Sequence, residues 1–222
     1  MAKIFDFPKI ESPFERQEID GIYQVIPKLK EEYRWIFTKD CLAVTKVDGT
    51  NLSVIIENGK ITKILNRMNV IDIWKSNSYF YEGIKWAINS KVFIPELLLD
   101  GQYWGELIGK RINGNPYRLE EHRWLPFDWF KEKYYFKFWE EIIKECENKS
   151  SDKEKFEVVE ETFKKLWCIY KRQLGIKGEV TENMKFEGLA SEGIVFYNRK
   201  NGQMCKLRRD MFKWFKGNKH KE

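Results

Sequence analysis

Lys46 stands two residues before an Asp-Gly pair, in Lys46-Val47-Asp48-Gly49-Thr50-Asn51, and is the side chain here best placed to do chemistry. Leu42 and Val44 on one side, and Leu52, Val54 and Ile56 on the other, give the flanking residues a period-2 apolar face, so the run reads as a β-hairpin. A lysine at the inner end of such a hairpin fits neither core packing nor an ordinary solvent face. Its amine is a candidate nucleophile, and only the neutral form attacks. Free lysine titrates at about 10.4, so burial or neighbouring cations must lower that value. K-x-D-G is short enough to occur by chance, and other residues have to agree with it.

Few other charged residues fall within or at the ends of apolar runs: Arg67, Glu106, Asp128, Glu192, Lys206 and Arg208. A charge on a half-buried strand is costly unless it is paired or used. Singly, Arg67 or Asp128 reads as a solvent-face residue. Together and in this order, the set is hard to place on solvent faces alone.

The elements that must position these residues follow from alternation and punctuation. Residues 1–35 open with an extended, Pro-punctuated segment. Leu42–Val47 and Leu52–Glu57 alternate like paired strands, and Asn58-Gly59 turns the chain into a strand from Ile61 to Arg67. Ser78 is a candidate N-cap for a helix over 79–90. Leu97-Leu98-Leu99, Asp100-Gly101 and Tyr103–Ile108 read as a second hairpin, and the aromatic run Trp124–Phe130 as a strand. From Lys131 to about Leu174 apolar residues recur at three- and four-residue steps (Phe136, Trp139, Ile142, Ile143; Phe156, Val159, Phe163, Leu166, Ile169). This predicts two amphipathic helices split near Asn148–Asp152, the simplest role for which is a cap on the sheet. Gly193–Tyr197 and Met204–Arg208 are strands joined through Asn201-Gly202. No repeat and no second domain is evident, and the expected architecture is an antiparallel α+β sandwich with helices at its edges.

Composition narrows the classes. The chain has 222 residues, enough for a substantial core, with nine Trp, ten Tyr and sixteen Phe, more rings than such a core needs. A net charge of +6 suits a phosphate-rich partner and equally a solvated, lysine-rich surface. Cys41, Cys146, Cys168 and Cys205 stand singly and only His122 and His220 accompany them, which argues against zinc and for reduced thiols. The start Met-Ala-Lys-Ile-Phe-Asp lacks a signal-peptide run, and no apolar stretch is long enough to span a membrane. A cytoplasmic protein, or one made in a host cytoplasm, is expected.

Taken in register, the charged set resembles the covalent nucleotidyltransferase superfamily of ATP-dependent ligases and capping enzymes, and within it the phage-type RNA ligases. The family's K-x-D-G-T-N motif matches Lys46–Asn51, and its following arginine matches Arg67. G-E-φ-φ-G matches Gly105-Glu106-Leu107-Ile108-Gly109, and an aromatic-Asp element matches Phe127-Asp128. E-G-φ-V matches Glu192-Gly193-Ile194-Val195, and K-x-K matches Lys206-Leu207-Arg208. The resemblance runs from about residue 7 to residue 212. Two positions depart from it. The last motif ends in arginine rather than lysine, and Thr45 stands where some relatives carry an acidic residue before the nucleophile.

The resemblance implies one antiparallel-sheet, ATP-grasp-like ligase adenylation domain over residues 1–222, with a helical insertion at about 131–175 and a short basic tail at 209–222. It implies an enzyme using ATP and Mg²⁺ or Mn²⁺, which joins a 3′-OH to a 5′-phosphate of RNA at a nicked duplex or a broken single strand. Lys46 would carry AMP, with Lys206 and Arg208 offsetting phosphate charge. Thr45, Asp48, Gly49, Arg67, Glu106, Phe127, Glu192 and Lys206 would bind nucleotide, Glu106 at the ribose and Phe127 against the purine. Glu192 and Asp48 would hold the metal, and Asn51 would meet the strand being joined. The fourteen residues after Arg208 are too few for the OB-type domain of DNA ligases and capping enzymes. A DNA-joining ligase, another nucleotidyltransferase and a non-catalytic nucleic-acid-binding descendant are the competing readings. The lysine beside Asp48-Gly49 weighs against the last.

Overall fold

Local turn chemistry starts the fold. Asp20-Gly21 has φ of 53° and 76°, and Asn58-Gly59 has φ of 52° and 71°. These are the left-handed values that two-residue hairpins need. The computed structural model describes residues 4–72, 78–173 and 192–215, and the side chains of 167–173 are excepted. Cys168, Ile169, Leu174, His220 and the tail from 216 therefore lie outside the described residues, in whole or in side chain.

In chain order the elements are β1 (Phe14–Ile19), β2 (Ile22–Leu29), a 3-10 helix (Glu31–Phe37), β3 (Cys41–Lys46), β4 (Thr50–Glu57), β5 (Lys60–Asn66), β6 (Asn69–Val70), α1 (Tyr79–Asn89), β7 (Gly101–Ile108), β8 (Arg123–Pro126), α2 (Phe127–Lys133), α3 (Trp139–Glu147), α4 (Asp152–Gln173), β9 (Gly193–Asn198) and β10 (Met204–Arg208). Every strand pair among them is antiparallel, in a mixed α/β arrangement. Packing divides the chain into two compact units: Met1–Lys9 with Asp48–Lys133, and Ile10–Val47 with Tyr134–Glu222.

The first unit holds a five-stranded sheet ordered β6-β5-β4-β7-β8. Leu52, Val54 and Ile56 of β4 are fully buried on one face, with Leu107 and Trp124, beneath Ile84 and Ala87 of α1. Burying each such aliphatic side chain contributes about 1.5–3 kcal/mol. Ser78 caps α1 as the sequence predicts, its Oγ accepting from the Tyr81 N–H at 3.2 Å. Gly83 lets the helix sit close, since a Cβ there would meet Leu107 Cδ1 at 2.2 Å.

The second unit holds the β1-β2 hairpin and a three-stranded sheet ordered β10-β9-β3. Ala43, Ile194, Phe196, Cys205 and Leu207 bury one face of that sheet. Trp139 of α3 packs on Phe196 with ring centroids 4.7 Å apart, and its indole N–H donates to the Ile36 carbonyl at 2.9 Å. Phe156, Val159, Phe163 and Leu166 of α4 complete this core. The two helices after Lys131 thus contribute core residues to the unit, which goes further than a cap.

Four local expectations are corrected. β3 and β4 do not pair: β3 pairs with β9, and β4 with β5 and β7. Asp48-Gly49 is therefore no hairpin turn, because the two apolar runs bury against different cores. Leu97–Leu99 forms no strand; Pro95–Leu97 is a 3-10 turn, Leu99 is exposed, and β7 finds its partners in β4 and β8. Trp124–Phe130 is strand only to Pro126 and helix from Phe127, in α2. The opening segment contains the β1-β2 hairpin, hidden because neither strand alternates cleanly. No helix among the described residues is long and apolar enough to cross a membrane.

Candidate active site

Strand register places the cations of the second unit. Lys46, the last residue of β3, lies opposite Gly193 of β9, which lies opposite Arg208 of β10. In an adjoining row, Val44, Val195 and Lys206 are opposite one another. Because side chains alternate across a strand, Lys46, Lys206 and Arg208 share the face turned away from Ile194, Cys205 and Leu207. Gly193 is required between them, since a Cβ there would meet the Leu207 carbonyl oxygen at 2.1 Å and Arg208 Cα at 2.7 Å.

Glu192 completes this group. Its Oε1 is 2.6 Å from Lys46 Nζ, with the glutamate side chain 1% and the lysine 21% exposed. Its backbone is held from both sides: its N–H donates to the Lys46 carbonyl at 3.0 Å, and its carbonyl accepts from the Arg209 N–H at 3.1 Å. A carboxylate this buried requires a charge partner, and Lys46 supplies it. For the lysine to act as a nucleophile its amine must be neutral while it sits beside this carboxylate. Arg208 Nη2 lies 3.0 Å from Asp210 Oδ2. Thr45 alternates to the other face of β3, where its hydroxyl is buried without a hydrogen-bond partner among the described residues. Sequence reasoning made Thr45 and Lys46 one group; the pleat separates them.

The rest of the predicted set lies in the first unit. Asp48 is 1% exposed; its Oδ1 accepts from Asn113 Nδ2 at 2.8 Å and its N–H donates to Tyr117 Oη at 2.5 Å. Asn113 Nδ2 also donates to the Gly49 carbonyl at 2.8 Å. Gly49 approaches β7 so closely that a Cβ would meet the Leu107 carbonyl oxygen at 2.4 Å and Glu106 Cγ at 2.6 Å. Asn51 and Glu106 are cross-strand partners on β4 and β7, both half-buried. Phe127 packs against Phe7, centroids 5.0 Å apart. Arg67 sits exposed in the turn after β5 with φ of 55°, and Asp128 is paired with Lys131 at 2.6 Å on the surface.

Asn113, Tyr117 and Asp210 went unseen in the sequence. Asn113-Gly114 reads only as a turn, and nothing in its neighbourhood announces that it reaches back to Asp48. No group of three or more His, Cys, Asp or Glu suited to a metal occurs among the described residues. The buried Glu192 carboxylate fits a Mg²⁺ or Mn²⁺ ion that takes most of its ligands from phosphate and water, the usual habit of Mg²⁺.

A family model described as RNA ligase matches residues 39–215. No curated protein matches the chain. Among solved structures, Naegleria gruberi RNA ligase with PPi is similar at 14% identity and a TM-score of 0.44, over 94% of this chain and 59% of that one. A mutant of that ligase with ATP and Mn is 12% identical with a TM-score of 0.44, over 90% and 59% of the two chains. Another mutant with AMP and Mn is 13% identical with a TM-score of 0.43, over 94% and 59%. The chain thus spans less than two thirds of the length of these structures.

Proposed function

The chain belongs to the RNA ligase family, and from that premise we propose that it is an ATP-dependent enzyme that seals RNA through AMP carried on Lys46. The observation that carries this reading is the Lys46–Glu192 pair on the sheet face that also bears Lys206 and Arg208.

In the first step the neutral Lys46 amine attacks the α-phosphorus of ATP, a P–N bond forms, pyrophosphate leaves and one proton of the nitrogen passes to solvent. In the second, a 5′-phosphate oxygen of RNA attacks that phosphorus and takes AMP, while the P–N bond breaks and the lysine nitrogen regains a proton from solvent. In the third, a 3′-OH attacks the 5′-phosphorus, AMP leaves, and the hydroxyl proton passes to solvent. Lys206 and Arg208 offset the charge that builds on the phosphates. Glu192 and Asp48 would hold Mg²⁺ or Mn²⁺, which would supply charge stabilisation at the phosphates. Glu106 accepts from ribose hydroxyls and Phe127 stacks on the purine. Gly49 and Arg67 complete the nucleotide contacts, and Asn51 meets the strand to be joined. A nicked duplex or broken single strand of RNA in the cytoplasm is the expected substrate.

Incubation with α-labelled ATP and Mg²⁺ or Mn²⁺ tests this directly. Label that survives denaturation on the wild type and is absent from Lys46→Ala supports the reading; equal labelling of the two removes it. Sealing should also require ribose at the 3′-OH end, since the 2′-OH distinguishes RNA from DNA. Equal sealing of an all-DNA nick moves the assignment to DNA joining.

A further inference from the structure

We infer that Asp210 is a positioning residue for Arg208, and that this pairing is why the site uses arginine rather than lysine at this position. The inference rests on the ligase reading of Lys46 and concerns the same sheet face.

Arg208 shares a row with Lys46 across Gly193. Among the described residues its ion pair is with Asp210, Nη2 to Oδ2 at 3.0 Å, with the side chains 27% and 25% exposed. The two groups meet along one edge only. Arg208 Nε and Asp210 Oδ1 are both buried, and neither has a hydrogen-bond partner among the described residues. Asp210 has little freedom to move. It is the middle residue of the 3-10 turn Arg209–Met211, whose first residue donates its N–H to the Glu192 carbonyl. At the other end, Met211 and Phe212 are buried at 3% and 1%. The backbone that fixes Glu192 therefore fixes Asp210 as well.

The charge of Asp210 alone works against phosphate binding, because an anion beside a cation lowers the positive potential of the face. A pair this exposed also adds little stability. What the carboxylate supplies is direction. The guanidinium is planar and its N–H donors form a rigid fork. With Nη2 held by Asp210, the remaining N–H groups keep a fixed aim at a phosphate oxygen. A lysine ammonium has no such second edge, and beside Asp210 it would be drawn to the carboxylate. Positive charge at this position is then insufficient, and the fork is what the site uses.

The test is single-turnover loading of Lys46 from labelled ATP over a range of ATP concentrations. The proteins are wild type, Arg208→Ala, Arg208→Lys, Asp210→Ala, Asp210→Asn and the double variant Arg208→Lys/Asp210→Ala. Both Asp210 variants should lower the maximal rate about tenfold or more, as misaimed groups do, with little change in half-saturating ATP. Arg208→Lys should be about as slow as Arg208→Ala, roughly 100-fold down, the scale of one lost preorganised donor. The double variant should be no slower than Arg208→Lys alone. Asp210→Asn keeps the side-chain shape and serves where the alanine variant does not fold. Loading that is unchanged or faster in the Asp210 variants, as simple removal of a nearby anion would give, overturns the inference. So does an Arg208→Lys rate near wild type. A wild type that takes up no label removes the ligase reading itself, whereas a wild type that loads beside equally fast Asp210 variants removes only the positioning role.

Discussion

The three-stranded and five-stranded sheets use the same alternation for different ends. In β10-β9-β3 one face is core and the other gathers Lys46, Lys206 and Arg208, with Glu192 buried against Lys46. In β6-β5-β4-β7-β8 the core face is equally apolar, but the site residues are a cross-strand amide and carboxylate, Asn51 and Glu106. Their neighbour Asp48 is held by Asn113 and Tyr117. Each sheet also needs a glycine where backbone approaches backbone, Gly193 in one and Gly49 in the other. The contrast teaches a division of labour. Cations converge on one sheet and neutral or acidic hydrogen-bonding groups on the other, which on the proposed reading assigns phosphate chemistry to the first and recognition of nucleotide or strand to the second.

The sharpest way to break this division is at the nucleophile. Lys46→Ala and Lys46→Arg should both abolish loading, since arginine stays protonated, while circular dichroism stays that of the wild type. Next in size is Gly193→Ala. Its methyl group collides with the β10 backbone and should slow loading by roughly 100-fold and lower stability by about 1–3 kcal/mol, read by rapid quench and thermal melting. Asn51→Ala probes the other sheet and should slow sealing several-fold while Lys46–AMP formation stays near wild type. An equal loss in both steps would erase the proposed division.

The smallest effect is one of stability. All four cysteines fall in the unit that carries Lys46. Burial pushes the Cys41 thiol from its usual 9.0 up to about 12 and raises Cys205 well above that usual value. The folded state thus keeps its thiol protons where the unfolded chain gives them up. The stabilisation is whole below about pH 9 and is lost as pH rises toward about 12. Denaturant melts across that range should show the fall, and Cys41→Ala should flatten it. Hydrogen exchange should place the weakening in β3, β9 and β10 rather than in β4, β5 and β7.

What was legible in the sequence was whatever local chemistry decides. Asn58-Gly59 as a hairpin turn, Ser78 as a cap, the two helices around Asn148 and the strand pair around Asn201-Gly202 all follow from neighbours in the chain. Partner choice between strands was not legible. The runs flanking Asp48-Gly49 each alternate, and alternation says that a strand has a buried side without saying against what. For the same reason Leu97–Leu99 looked like a strand, although apolarity alone did not bury it. Lys46, Glu192, Lys206 and Arg208 were picked out by motif; the structure sets the three cations on one sheet, with Glu192 immediately before β9. Asn113, Tyr117 and Asp210 act through distance or geometry that no short pattern encodes.

The pairing of Lys46 with Gly193 has a further consequence, in time. Lys46 is synthesised well before its carboxylate partner Glu192 and the cations Lys206 and Arg208, which follow it far along the chain. At roughly 5–20 residues per second, the ribosome delivers those strands many seconds after Lys46 has emerged. A nascent or prematurely terminated chain has the lysine without its ion pair, its glycine neighbour or its phosphate-facing arginine. On the proposed reading, capacity to take AMP would then switch on only once β9 and β10 have emerged and paired with β3, so that chains lacking those strands neither consume ATP nor engage RNA ends.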